Sequence, residues 1–501
     1  MLKNKNKNKN LCCPGSDDSG KVDRNHVYFK STISMCNKCE ALVKAKVLIK
    51  SNKVYFKKEC PDCGITENMV SSDAELYMKA YHYNKPGTIP LHFNKERKIG
   101  CPNDCGICNE HEQHTCQPVI DVSDKCNMDC PICIADCKGS YQYTPEQFKK
   151  IIDNLIRCEG KLPLVVMAGG EPSIHPNVFD FVKIAKDTGK IERVGINTNG
   201  LKIAEDINFV KRIKDENMYV FLQYDGTKEE TYVKLRGKNY YPMKMKALEN
   251  LEKYNIPTTL ITTVVKGIND DDIGNVVKLV LLKDHLLGMT FQPAAHVGKG
   301  GSHFDMDPMD IMTRDCVVSA IEEQTKGLIS KSDIIPVPCS HPQCFSLSYL
   351  LKHKDGTITP FARMMNLDQY LDLITNKAVL TASDKKVSES FEKMIYDLWS
   401  GDANVPISEK ITATMKQLFN KLYPSDSNIT NKERILIADY SVKTLFIHHF
   451  MDKYTFDLER VQKCCNHYPQ ADDRLMPMCT FNNFYRNQPG GHRTTKIPVK
   501  L

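Results

Sequence analysis

Cys126, Cys130 and Cys133 stand in Asp124-Lys-Cys-Asn-Met-Asp-Cys-Pro-Ile-Cys133, a C-x3-C-x2-C run that follows the apolar segment Val119–Val122. Three thiolates on one short loop suit three irons of a [4Fe–4S] cube. They leave the fourth iron without a protein ligand, whereas such a cluster is usually held by four cysteines. Zinc prefers four protein ligands in a structural site. Cys137 is a candidate fourth ligand, and the sequence leaves that alternative open.

A loop of this kind needs a rigid scaffold, and residues 119–305 supply a pattern for one. Apolar runs at Leu162–Ala168, Arg193–Asn197, Tyr219–Tyr224, Thr258–Val265 and Met289–Gln292 read as strands after the first at Val119–Val122. Helical spacing separates them. Thr144, Pro145 and Gln147 form a capping box with proline at the first helical position, and Phe148, Ile151, Ile152, Leu155 and Ile156 share one face behind it. Further helices are expected near Val178–Lys186, Glu205–Asp215, Met243–Tyr254 and Asp272–Leu282. Near-continuous apolar strands are covered by helices on both faces of a parallel sheet. The expected fold is α/β, a partial (β/α)6 barrel with its site at the C-terminal strand ends. Those ends carry the residues worth attention: Ala168-Gly-Gly-Glu-Pro172, Asn197-Thr-Asn-Gly200, Gln223-Tyr-Asp-Gly226 and Gln292-Pro-Ala-Ala-His-Val-Gly-Lys-Gly-Gly301. Paired glycines permit close backbone approach, and a glutamate beside them can bind an ammonium. The last run reads as a glycine-rich loop over the site, with His296 in a structural role.

The chain has 21 cysteines in 501 residues. In a long chain without an apolar leader, their C-x2-C and C-x3-C grouping indicates metal ligation in a reducing cytoplasm. Cys36, Cys39, Cys60 and Cys63 form two knuckles with twenty residues between them, suited to zinc or a mononuclear iron. Cys101, Cys105, Cys108 and Cys116 repeat C-x3-C-x2-C and add a fourth thiol, as a closed [4Fe–4S] relay or a second zinc site requires. Cys339 and Cys344 group with Cys464 or Cys465 and with Cys479 as a C-terminal auxiliary cluster. Asp355-Gly356 reads as a hairpin turn beside the first pair. Cys158 and Cys316 lie in helical patterns and read as core cysteines.

The expected organisation is a basic disordered tail over 1–30, a cysteine-rich metal-binding region over 31–118, the barrel over 119–305 and an auxiliary-cluster and substrate region over 306–501. The net charge of +7, partly in the lysine-rich first ten residues, argues against a nucleic-acid partner. Cys12 and Cys13 lack the apolar segment of a lipoprotein signal. No apolar run approaches the ~18 residues of a membrane span. The expectation is a cytoplasmic protein, peripheral to a membrane at most.

The cysteine loop followed by Gly169-Gly-Glu171 at the next strand end resembles the signature of the radical S-adenosylmethionine (SAM) superfamily. The resemblance implies that the open iron chelates the methionine amine and carboxylate of SAM, which is cleaved on reduction to a 5′-deoxyadenosyl radical. It implies that Ile132 packs on the adenine, that Gly169, Gly170 and Glu171 receive the methionine amine, and that Asn197 belongs to the site. Gln223 and Asp225 would bind the ribose hydroxyls. Arg236 would pair with the SAM carboxylate, or form a surface salt bridge instead. An electron donor such as ferredoxin or flavodoxin is expected.

The flanking cysteine groups, with Ile447-His-His-Phe-Met-Asp452, Lys463-Cys-Cys465 and Pro477-Met-Cys-Thr-Phe481, are similar to the archaeal tetraether lipid synthases and their bacterial relatives. This implies radical carbon–carbon coupling of lipid chains at a membrane surface, with Phe446-Ile447…Phe450-Met451 either lining an apolar tunnel or forming a core helix face. The alternatives are a radical SAM methylase acting on a pterin, a peptide-modifying radical SAM enzyme, and a non-catalytic iron–sulfur carrier. The carrier leaves Gly169-Gly-Glu171 without a purpose.

Overall fold

A computed structural model describes residues 25–364, 367–376, 385–400, 409–425, 428–486, 488 and 495–501. Most of the tail expected over 1–30, with Cys12 and Cys13, lies outside these residues. Its end does not: the first strand begins at Val27.

The N-terminal unit is an antiparallel sheet of β1 (Val27–Met35), β2 (Leu42–Lys50), β3 (Lys53–Cys60) and β4 (Gly64–Ser71). Alternation decides its faces: Val54, Phe56 and Lys58 turn inward from β3 between outward neighbours. Lys58 is buried because its ammonium donates to Asn37 Oδ1 (2.9 Å) and to the Lys453 carbonyl (2.7 Å). The sheet is thereby tied to the C-terminal region, as it is by Ser34 Oγ to the Phe456 carbonyl (2.6 Å).

The barrel follows the pattern read from the sequence. Strands β5 (Gln117–Ser123), β6 (Val165–Gly169), β7 (Val194–Thr198), β8 (Tyr219–Gln223), β9 (Thr258–Val264) and β10 (Leu286–Pro293) run parallel in that order. The helix Pro145–Glu159 has the expected capping box at Thr144 and Gln147, and buries Phe148, Ile151, Ile152 and Leu155. Phe148 stacks on Phe181 of the helix Val178–Asp187, with ring centroids 4.4 Å apart. Burying such side chains contributes roughly 1.5–3 kcal/mol each. The helix expected near Glu205–Asp215 runs Ile207–Asp215 with Asp206 as its cap, and a separate short helix, Leu201–Glu205, precedes it.

The C-terminal region extends both edges of this sheet. On one side β11 (Ile335–Pro336), β12 (Phe345–Lys352), β13 (Ile358–Pro360) and β14 (Val442–His448) continue it, with β14 parallel to β10 and antiparallel to β12. The hairpin expected at Asp355-Gly356 joins β12 to β13. On the other side β15 (Asn466–Pro469) lies parallel to β5 and pairs with β16 (Leu475–Pro477). A last strand, β17 (Val499–Lys500), returns to β2. Phe446 and Ile447 thus belong to a strand, not to a helix face. Among the described residues no helix is long and apolar enough to cross a membrane.

Candidate active site at the barrel mouth

The cysteine loop leaves the end of β5 and is closed on itself by Asp124. Its carboxylate accepts from the backbone N–H groups of Ser140 and Tyr141, both at 2.8 Å. Gly169 and Gly170 have a sharper task than approaching a ligand. A Cβ on Gly169 would lie 2.2 Å from the Ser123 carbonyl oxygen, and one on Gly170 2.1 Å from that of Lys125. Gly170 N–H donates to Ser123 O (2.7 Å) and Glu171 N–H to Lys125 O (2.8 Å). The two glycines therefore let the end of β6 hold the root of the cysteine loop. The glycine run expected as a loop is instead the short helix Gly298–His303, which covers it from the other side: Gly300 N–H donates to Cys133 O (3.1 Å).

Cys137 turns back through Asp136, whose φ is 47°, and its thiol stands beside Cys126 and Cys133. The neighbouring Cys137 thiol draws Cys133 down to about 6 and Cys126 below its ordinary value. Burial raises Cys130, while the neighbouring Arg236 opposes the rise. The loop thus gathers four thiols, and two of them favour the thiolate form that iron requires.

Glu171 is buried and accepts from Ser173 N–H (3.0 Å), Thr198 Oγ1 (2.6 Å) and Asn199 N–H (2.7 Å). Asn197 and Gln223 line the cavity beyond it. Asp225 is not free for a ribose. Arg236 holds it from Nε (2.7 Å) and Nη2 (2.8 Å), so Arg236 makes a buried pair rather than a surface bridge. Ile132 is buried with Leu235 and Val265 beside the cysteine loop. His296 is structural, held by Asp452 through Nδ1 (3.0 Å).

The cavity, about 350 Å³, starts at these residues and runs down the barrel axis. Val166, Phe221, Ile261 and Thr290 form its middle, and Phe446 and Phe450 one flank. Two ion pairs that sequence reasoning missed face it. Arg486 Nη1 meets Asp121 Oδ2 at 2.8 Å, and Arg193 Nε meets Asp439 Oδ2 at 2.9 Å, with Tyr219 O–H donating to the same carboxylate (2.7 Å). Lys244 was missed as well. It is fully buried, donates to Gln223 Oε1 (2.5 Å), and desolvation lowers it to about 7. Its place on the inward face of Ala247, Leu248 and Leu251 was the available signal.

The remaining cysteines fall into groups that only partly follow their spacing. Cys36, Cys39, Cys60 and Cys63 converge as expected, with all four sulfurs within 4.8 Å of one another. The 3.8 Å from Cys39 to Cys60 matches the ~3.8 Å edge of a tetrahedron with metal–sulfur bonds of ~2.3 Å. Cys101, Cys105 and Cys108 are mutual neighbours, but Cys116 is not their fourth. It contacts Cys339 and Cys465 instead. The cause is register: β15 pairs with β5 so that Asn466 lies opposite Gln117, and Cys116 N–H donates to Cys465 O (2.9 Å). The expected C-terminal set is split in consequence. Cys344, Cys464 and Cys479 stay together around Arg460 with Cys465 beside them, and Cys339 leaves them. Cys158 is a core cysteine as read, and Cys316 is half-buried.

Residues 99–280 match the Radical SAM superfamily and residues 28–72 the HMPTM N-terminal zinc ribbon domain. The 7,8-dihydro-6-hydroxymethylpterin dimethyltransferase of Methanocaldococcus jannaschii is 30% identical over 499 residues, which cover 92% of this chain and 94% of that one. The chain belongs to the radical SAM superfamily. This radical SAM enzyme is also 23% identical over 248 residues to the GTP 3′,8-cyclase of Clostridium acetobutylicum, across 48% of its own length and 73% of the cyclase. Among solved structures, Streptococcus suis SuiB bound to precursor peptide SuiA gives a TM-score of 0.36 at 14% identity, over 44% of this chain and 47% of that one. Superfamily membership implies a [4Fe–4S] cluster and SAM, and the thiol-rich loop at the barrel mouth fits them. The four-cysteine ribbon fits a metal. The lipid-coupling reading is overturned: the relative that matches from end to end is a pterin dimethyltransferase, so the flanking cysteine groups do not mark a lipid synthase.

Proposed function

We propose that the protein is a radical SAM methyltransferase acting on a reduced pterin. The observation that carries this reading is the end-to-end likeness to the pterin dimethyltransferase, which takes in the ribbon, the barrel and the C-terminal region together. In this reading Cys126, Cys130 and Cys133 ligate the SAM-binding cluster. When bound, cluster and SAM supply a 5′-deoxyadenosyl radical on reduction, and SAM also supplies the methyl carbon. An external donor such as ferredoxin or flavodoxin delivers the electron.

The chain's own contribution is positioning and exclusion of water. Glu171 is held rigid by three donors at the cavity edge, where a remaining lone pair can meet the methionine ammonium. Asp225 orients Arg236 beside Cys130, which keeps a fixed positive charge next to that thiolate. Val166, Phe221, Ile261 and Phe446 give the cavity dry walls, which protect a carbon radical from side reactions. A pterin is flat and carries an amino-pyrimidinone edge rich in N–H donors. The carboxylate of Asp121 offers acceptors to that edge and the guanidinium of Arg486 a donor to its carbonyl.

The test is anaerobic turnover of the reduced holoenzyme with methyl-deuterated SAM and 7,8-dihydro-6-hydroxymethylpterin. Deoxyadenosine release together with labelled methyl in the pterin supports the proposal. Deoxyadenosine without a mass change in the pterin rejects it.

A further inference from the structure

We propose that Lys244 is a positioning residue for SAM: its buried ammonium ties the end of β7 to the end of β8 and so fixes Glu171, Gln223 and Arg236 around the cysteine loop. Lys244 lies on the helix Tyr241–Lys253 and is fully buried. Asn199, Gln223, Glu171 and Arg236 line the cavity, and Lys244 stands behind them. The inference rests on SAM binding at this mouth and is independent of which substrate is methylated.

An ammonium is costly to bury, and lysine is almost never fully buried unless paired. The acceptors that hold Lys244 are neutral and come from two strand ends. One is the Asn199 carbonyl, just past β7, and the other is Oε1 of Gln223 (2.5 Å), the last residue of β8. The charges that face it belong to the barrel mouth. Burial pulls the ammonium down to about 7, Asp225, Glu171 and Cys130 favour it, and Arg236 opposes it. A core lysine with no task at the mouth would not need this arrangement.

Two hydrogen-bonded branches leave this ammonium, and both end on the cysteine loop. In the first, Asn199 N–H donates to Glu171 Oε2 (2.7 Å), and Asn199 Nδ2 donates to Oδ1 of Asn127 (2.7 Å), the neighbour of Cys126. In the second, Gln223 Nε2 donates to Asp225 Oδ2, Asp225 holds Arg236, and Arg236 stands beside Cys130. The ammonium also decides which way the Gln223 amide points, because only the carbonyl end can accept from it. The N–H end is thereby committed to Asp225. Without Lys244 the amide is free to turn, Arg236 loses part of the support of its carboxylate, and the Asn199 turn that braces Glu171 is loosened.

The experiment uses the full chain with its clusters reconstituted anaerobically. SAM is titrated into the dithionite-reduced protein and its affinity read from the change in the EPR spectrum, with deoxyadenosine release measured alongside. Lys244→Met removes the donors and nearly keeps the volume. It should load iron and sulfide as wild type does and bind SAM ~10–100-fold more weakly, the range for losing an outer-shell partner. Deoxyadenosine release at saturating SAM should fall by less than the affinity does. Full SAM affinity in a loaded Lys244→Met protein overturns the proposal. Because Lys244 acts through Gln223, Gln223→Met combined with Lys244→Met should cost less than the product of the two single effects, and a full product rejects the relay. Where Lys244→Met loads no iron, Gln223→Met and Asn127→Ala cut the branches one at a time beyond the lysine, and wild-type SAM affinity in both refutes the proposal. A wild-type spectrum that SAM leaves unchanged overturns this proposal together with SAM binding at the mouth.

Discussion

Arg236→Met removes a charge from the pair that braces the barrel mouth and leaves its size nearly unchanged. Asp225 is 1% exposed and Arg236 9%. Without the guanidinium, the carboxylate keeps only Gln223 Nε2 and the Thr263 N–H (3.2 Å). Breaking a buried pair by removing one partner costs about 3–5 kcal/mol. The expected destabilisation is therefore ~3–5 kcal/mol, a factor of roughly 10²–10⁴ in the opening equilibrium at ~1.4 kcal/mol per tenfold. Hydrogen exchange of the amides in β8 and β9 reads this locally, without requiring the whole protein to unfold in one step. Adding Asp225→Asn should restore most of the protection. Exchange in Arg236→Met within about threefold of wild type, or no recovery in the double variant, would refute the account of this pair.

Gly170→Ala should lose iron at the barrel mouth while keeping the ribbon metal, because its Cβ meets the Lys125 carbonyl at 2.1 Å and backbone must move; metal analysis reads both sites. Cys60→Ala should release one metal ion per chain and loosen the N-terminal sheet, seen by elemental analysis and limited proteolysis. The His296–Asp452 pair stabilises the segment around Asp452, since His296 is raised and Asp452 lowered against opposing burial. Its contribution is full between the ordinary values of 3.8 and 6.5. It fades as pH rises through the raised value of His296, and as pH falls through the lowered value of Asp452, so exchange near Asp452 should quicken from pH 6 to pH 8 in wild type and much less in His296→Gln. Cys137→Ala should retain the cluster at the mouth, because three thiolates suffice to hold it, and iron and sulfide counts check this.

The barrel was legible because each strand is an apolar run that ends in glycine or polar residues, with helices opened by capping residues such as Thr144. The cysteine loop and its contact with Gly169 and Gly170 follow from the same adjacency of strand ends. Cys116 was misassigned because spacing ties it to Cys108, whereas strand register ties it to Cys465. That register depends on β15 finding the free edge of β5, which no local pattern announces. Lys244, Arg193 and Arg486 escaped notice for a related reason: a charged residue reads as exposed until its buried partner is known.

The account turns on a cluster at Cys126, Cys130 and Cys133 with one iron free to bind SAM. Electron–nuclear double resonance on the reduced holoenzyme with SAM labelled at its amine nitrogen and carboxylate oxygen tests this most directly. Coupling of both labels to the cluster, lost in Cys130→Ala, is the predicted result. A fully loaded cluster whose spectrum senses neither label would contradict it.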